Sequence, residues 1–147
     1  MTTDADMRLE VRHRIAASPE RLFAAWTTPE QLLAWWGPKG VRCTEAELQL
    51  VVGGRYRLGN ELPDGQVVFI VGEFLTIEPP SKLVYTWSME GDAAEPERVT
   101  VSFNRDGAGT EVVILHERII EKTRRDEHSA GWNGCLDKLE TYILAAV

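Results

Sequence analysis

Apolar and polar positions alternate from Met7 to Ile15, with Leu9, Val11, His13 and Ile15 on one side and Arg8, Glu10, Arg12 and Arg14 on the other. That is the period-two pattern of a strand with one dry face. Ser18-Pro19 then opens a helix, because Ser is a favoured N-cap and Pro is tolerated in the first turn, and Leu22, Phe23 and Trp26 follow at helical spacing. Thr28-Pro29-Glu30-Gln31 has the form of a capping box and starts a second short helix carrying Leu32, Leu33, Trp35 and Trp36, which Gly37-Pro38 stops.

Beyond Gly40 the pattern is that of strands with turn chemistry about every ten residues: Gly53-Gly54, Pro63-Asp-Gly65 and Glu78-Pro-Pro-Ser81. One candidate strand after Gly40 ends in Leu48-Gln-Leu50, and others lie at 55–58 and near 67–77 and 82–89. After an acidic loop at 90–96, Arg98–Asn104 and Thr110–Arg118 pair as a hairpin across Asp106-Gly-Ala-Gly109. From about Arg125 to Val147, Trp132, Leu136, Leu139, Ile143 and Val147 recur at three- and four-residue steps, the stripe of a long amphipathic helix. Strands segregated from helices predict an α+β fold: a curved antiparallel sheet of six or seven strands, two short helices after the first, and the terminal helix lying on the sheet.

Alternation places Leu48, Leu50, Tyr56, Leu58, Leu83, Tyr85, Trp87, Val99, Val101, Phe103, Val112, Ile114 and His116 on the inner face. The strand around Gly72 is left without a register, because a bulge there would flip Phe69, Val71, Phe74 and Leu75. Gly131 and Gly134 each cost the terminal helix about 0.5–1 kcal/mol relative to Ala. Two readings offset that cost: close approach of the helix backbone to the sheet, or room left for a bound molecule.

A chain of 147 residues with 44% hydrophobic content is sized for one domain, here 7–147, preceded by a polar, disordered 1–6. A formal net charge of −7 argues against nucleic acid as a partner, and the absence of a long apolar run argues against a membrane. The two cysteines, Cys43 and Cys135, have no ligand or redox spacing and read as reduced core residues, which together with the polar start predicts a cytoplasmic protein.

Ser18-Pro-Glu-Arg-Leu-Phe23, Trp26, Thr28-Pro-Glu-Gln-Leu32 and Trp35-Trp-Gly-Pro38 resemble the family of heat-shock-protein-90 ATPase activator homologues, within the START-like or SRPBCC superfamily. The likeness continues through Gly53-Gly-Arg-Tyr-Arg57, Gly72-Glu-Phe-Leu75, Leu83-Val-Tyr-Thr-Trp87, His116-Glu117 and Gly131-Trp132. It implies a helix-grip fold. Superfamily members bind lipids, hormones or polyketides, and a few are cyclases or hydrolases, so the resemblance by itself assigns no reaction. In the family's eukaryotic co-chaperone a separate amino-terminal domain contacts the chaperone, which ranks chaperone regulation below ligand binding.

The expected function is therefore to hold a small apolar or aromatic molecule between sheet and helix, with a cofactor-independent cyclase or hydrolase as the alternative. The expected lining is Trp35, Trp36, Tyr56, Tyr85, Trp87, Phe103, Ile114, His116, Gly131, Trp132 and Leu136. Trp35 and Trp36 read equally as a rim over the cavity or a plug in the core. His116 reads first as a hydrogen-bonded core residue and second as a ligand contact, and a general-base role would need a carboxylate such as Glu73 or Glu117. His13 and His128 read as surface residues. No metal, no cofactor and no catalytic nucleophile are expected, since no pair of ligand-type residues has a local metal spacing and no Gly-x-Ser-x-Gly elbow occurs. Val113 and Leu115, on the outer face, raise a homodimer as a further partner.

Overall fold

The computed structural model describes residues 7–145; the expected disordered 1–6 and the last apolar position, Val147, lie outside the described residues. In chain order the elements are β1 (Met7–Ile15), α1 (Pro19–Thr27), α2 (Pro29–Trp35), β2 (Arg42–Leu48), β3 (Arg55–Glu61), β4 (Val67–Glu78), β5 (Lys82–Met89), β6 (Glu97–Asp106), β7 (Gly109–Ile119) and α3 (Lys122–Ala145). The strands form one antiparallel sheet in the order β1-β7-β6-β5-β4-β3-β2. β2 to β7 are a meander, and β1 closes against β7, so the two outer strands are those that flank the tandem helices in sequence.

Local chemistry accounts for the element ends. Ser18 Oγ accepts from the Arg21 amide at 3.1 Å, the N-cap that its position predicts. The capping box at α2 does not form: Thr28 caps with its backbone carbonyl alone, while Gln31 Oε1 accepts from Arg21 Nη1 at 2.7 Å and from the Tyr142 hydroxyl at 3.0 Å. Gln31 is drawn away by the packing of α1 and α3 around it.

Along β4, Ile70, Gly72 and Phe74 point inward, and the register shifts between Phe74 and Thr76, leaving Leu75 exposed. A Cβ on Gly72 would collide with the Thr86 carbonyl and the Tyr56 ring, so the glycine admits Tyr56 across the strand. Leu50, expected inward, is exposed because β2 ends at Leu48 and residues 49–54 form the turn. Val113, expected on a bare outer face, is buried, and Leu115 is half-buried. Their strand is flanked on both sides, placing Val113 between Arg12 and Ser102 whose side chains share that face. The apolar patch that suggested a dimer is therefore largely covered.

The core divides in two. Phe23, Trp26, Trp35, Trp36, Phe103 and Trp132 interlock with ring centroids 5.0–6.2 Å apart, mostly edge to face. Tyr56, Phe74 and Tyr85 make a second cluster across β3, β4 and β5. The C-terminal half of α3 presses Leu136, Leu139 and Ile143 onto the sheet. Its first turns, from Lys122 to Gly131, bury no apolar side chain. That asymmetry creates the site.

Candidate functional site

Where the first half of α3 passes over β3, β4 and β5, a recess of about 300 Å³ remains. Its deep wall is Trp36, Asn60, Ile70, Trp132 and Cys135, all buried. Nearer the solvent lie Pro38, Val41, Leu62, Val68, Met89 and the exposed Glu127, with Trp87, His128 and Gly131 between. An apolar cavity of about 150 Å³ accepts a benzene ring, so this space suits roughly a two-ring molecule. Between Trp26, Trp36, Tyr56, Phe74 and Tyr85 the free volume is only about 20 Å³, room for little more than a water.

The two glycines of α3 face different things. A Cβ on Gly131 would meet nothing within 4 Å, and Gly131 borders the recess. A Cβ on Gly134 would lie 3.1 Å from the Lys39 amide nitrogen and 3.4 Å from Pro38 Cα. Gly134 thus serves close approach, to the loop after α2 rather than to the sheet, and Gly131 leaves room. Lys138 fixes the same loop by donating to the Val41 carbonyl at 2.6 Å.

Of the expected lining residues, Trp36, Trp87, Gly131 and Trp132 border the recess, and Trp36, Tyr56, Tyr85 and Trp87 border the small void. Trp35, Phe103, Ile114 and Leu136 are instead packed core. Trp35 is 1% exposed and its Nε1 donates to the Ala25 carbonyl at 2.9 Å, which makes it a plug and not a rim. Apart from Leu50, the inner face lies where alternation places it, but the open volume lies toward one end of it, where the helix carries few apolar side chains.

Beside the recess sits a buried polar cluster. Glu97, the first residue of β6, places Oε1 2.7 Å from His116 Nε2 and 2.9 Å from His128 Nε2, and Oε2 2.7 Å from Arg124 Nε. Trp132 Nε1 donates to His116 Nδ1 at 2.9 Å, and the two imidazoles stack at 4.2 Å. His128 packs edge-on against Trp87. His128 and His13 are not free surface residues: His128 belongs to this cluster, and half-buried His13 lies 3.0 Å from Glu140 Oε1.

Neither Glu97 nor His128 was identified from sequence as part of a site, and the carboxylates considered for His116, Glu73 and Glu117, are not its partner. One signal was available. Arg124, His128 and Trp132 recur every four residues, so they share a helix face, and Trp132 was already assigned to the inner one.

Desolvation by itself would raise the Glu97 carboxyl, but hydrogen bonds from His116 and His128 and their charge outweigh it and bring its pKa down to about 2. Burial pushes the His116 imidazole down, against the opposing pull of Glu97. The Trp132 indole N–H is a donor only, so His116 Nδ1 must accept and its proton rests on Nε2, donated to Glu97. His116 is thus a neutral imidazole held in one tautomer.

Glu97, His116 and His128 offer ligand atoms within 4.8 Å of one another, a two-histidine, one-carboxylate set. The hydrogen bonds do not fit a metal. A ligating histidine donates its distal N–H to an acceptor, whereas here the distal nitrogen of His116 receives a proton donor and the lone pair a metal needs is occupied by N–H. Arg124 against Glu97 adds a cation where another cation would have to sit.

Residues 16–143 match the model of the family described as Activator of Hsp90 ATPase homolog 1-like protein. Among solved structures, a protein of Rhodobacter sphaeroides is 28% identical, with a TM-score of 0.82 over 95% of this chain and 93% of its own. The AHSA1 protein of Silicibacter pomeroyi is 23% identical, TM-score 0.84, over 96% and 100%. A protein of Chromobacterium violaceum is 24% identical, TM-score 0.83, over 91% and 94%. No curated protein matches the chain. Among the described residues no helix is long and apolar enough to cross a membrane.

Proposed function

Since the chain belongs to the Activator of Hsp90 ATPase homolog 1-like family and has its helix-grip fold, we propose that it binds a small apolar or aromatic molecule in the recess under α3. The observation that carries this reading is the 300 Å³ of unfilled, mainly apolar space next to Gly131, in a molecule whose remaining aromatic side chains are tightly interlocked. A domain under selection for stability alone would place Ala or Leu at position 131, where the helix gains about 0.5–1 kcal/mol and nothing obstructs a side chain.

The test is native mass spectrometry of protein purified from its own host, alongside Gly131→Leu, whose side chain enters the recess. A bound small molecule on the unsubstituted protein that is lost from Gly131→Leu supports the reading. Bare protein in both, with no melting shift from any apolar ring compound, overturns it.

One observation favours a second reading, acid–base catalysis without a cofactor. His128 borders the recess and has Nε2 on the Glu97 carboxylate, the arrangement that leaves an imidazole's other nitrogen to exchange protons. Turnover of the bound molecule, lost in His128→Gln with binding retained, would select this reading. Regulation of a chaperone, which the family description raises, would be read as stimulated chaperone ATP hydrolysis.

A further inference from the structure

Two residues that line the recess each carry a buried side-chain atom with no hydrogen-bond partner among the described residues: Trp36 Nε1, a donor, and Asn60 Oδ1, an acceptor. Their residues are 5% and 7% exposed. An unmade hydrogen bond at such depth is costly, and the neighbouring wall, Leu62 just after β3 with Val68 and Ile70 of β4, is apolar. Asn60 stands at an inward position of β3, two residues beyond Leu58, where the alternation calls for another apolar side chain. Trp35, next to Trp36 in sequence, does find a carbonyl, so the orphaned indole is not a general feature of this aromatic cluster.

Charge narrows the ligand further. Among the described residues lining the recess there is no Lys or Arg, while Glu127 stands at its rim and Glu97, ionised over the whole neutral range, lies behind His128. A carboxylate or phosphate entering here would be desolvated with no cation to receive it.

Building on the ligand-binding reading, we infer that the recess selects uncharged ring compounds carrying a group that both donates and accepts hydrogen bonds, such as a carboxamide or hydroxyl, with Asn60 and Trp36 as its polar contacts. Fatty acids and other apolar anions are excluded by the same wall. A ligand of this kind satisfies both orphaned atoms, whereas a plain hydrocarbon leaves them unpaired and an anion satisfies only the indole.

Three probes of one ring system separate the possibilities: naphthamide, methylnaphthalene and naphthoate, titrated calorimetrically at neutral pH into the intact protein and into Asn60→Leu and Trp36→Phe. The expected result is that naphthamide binds at least about tenfold more tightly than either other probe. In Asn60→Leu that advantage over methylnaphthalene falls to about threefold or less, while methylnaphthalene itself binds no worse. Trp36→Phe, which keeps an aromatic ring but removes the N–H, gives a second reduction should Asn60→Leu fail to fold. Equal binding of naphthamide and methylnaphthalene, or preferred binding of naphthoate, overturns this inference and leaves the recess a ligand site. Absence of binding by all three overturns both this inference and the reading it rests on.

Discussion

Replacing the two helix glycines one at a time separates the two things α3 does. At Gly131 an added Cβ meets nothing within 4 Å, so Gly131→Ala removes the backbone-entropy cost of glycine without a clash. The expected gain is about 0.5–1 kcal/mol, or roughly 1–4 °C in melting temperature for a domain of this length. At Gly134 the same gain is opposed by a Cβ 3.1 Å from the Lys39 nitrogen and 3.4 Å from Pro38 Cα. Those are backbone atoms of a loop that Lys138 holds through the Val41 carbonyl, so the loop cannot simply retreat. Overpacking of this kind costs about 1–3 kcal/mol, and Gly134→Ala should be neutral to destabilising. Urea denaturation followed by circular dichroism reads both, with stability changes taken from the midpoint at constant slope. The variants should differ by about 1 kcal/mol or more, with Gly131→Ala the more stable. Equal stabilisation by both, or destabilisation by Gly131→Ala, would refute the assignment of open space to one position and close approach to the other.

Acid should weaken the fold in two stages. His116 resists protonation in the folded protein, so its contribution is present above the ordinary imidazole value of 6.5 and is lost as pH falls below it. Glu97, lowered from 4.5 to about 2, contributes stability that is present above 4.5 and lost between there and 2, on the order of 2 kcal/mol after solvent screening. Chemical denaturation at successive pH values should show both losses, and in Glu97→Gln the lower stage should vanish; a stability flat from neutrality to pH 3 would contradict the cluster's geometry. Zinc should leave the melting temperature of the unsubstituted protein unchanged, because Trp132 fixes the His116 proton on Nε2. In Trp132→Phe the donor is gone and a zinc-dependent rise is expected, so a comparable rise without the substitution would show the tautomer to be otherwise.

The elements and the inner face were legible because they follow from local periodicity: even-numbered positions of β3, odd-numbered positions of β5 and β6, and the stripe of α3 from Trp132 to Ile143 are where alternation and helical spacing place them. The family likeness, carried by ordered short motifs, was legible for the same reason. What could not be read was distance across the fold. Glu97 meets His128 from a separate element, and in the sequence it falls between the acidic loop at 90–96 and the strand read from Arg98. Nor does alternation report how far a helix stands off a sheet, so the expected lining extends beyond Trp36, Trp87, Gly131 and Trp132 to Phe103, Ile114 and Leu136, where the packing is solid. A single polar residue on an apolar face, such as Asn60, becomes informative only when its missing partner is known.

Cluster and recess are connected through the way α3 is held. The half of the helix that follows Trp132 is fixed by apolar burial, whereas the half before it, with no buried apolar side chain, is fixed by Glu97 through Arg124 and His128. Charge-assisted contacts of this sort set a helix at the distance of its side-chain lengths, and the space that an apolar contact would have closed becomes the recess. It follows that Glu97→Gln, which keeps size and removes charge, should loosen the first half selectively. Hydrogen exchange of the amides from His128 to Gly131 should quicken by about tenfold or more relative to those from Leu136 to Ile143, which change only with global stability. The recess, whose wall includes His128 and Gly131, should then lose ligand affinity without any change in the residues that touch the ligand's ring. If both halves of α3 respond alike, the helix is held as one unit, and the ion cluster is an ornament to a recess that owes its existence to something else.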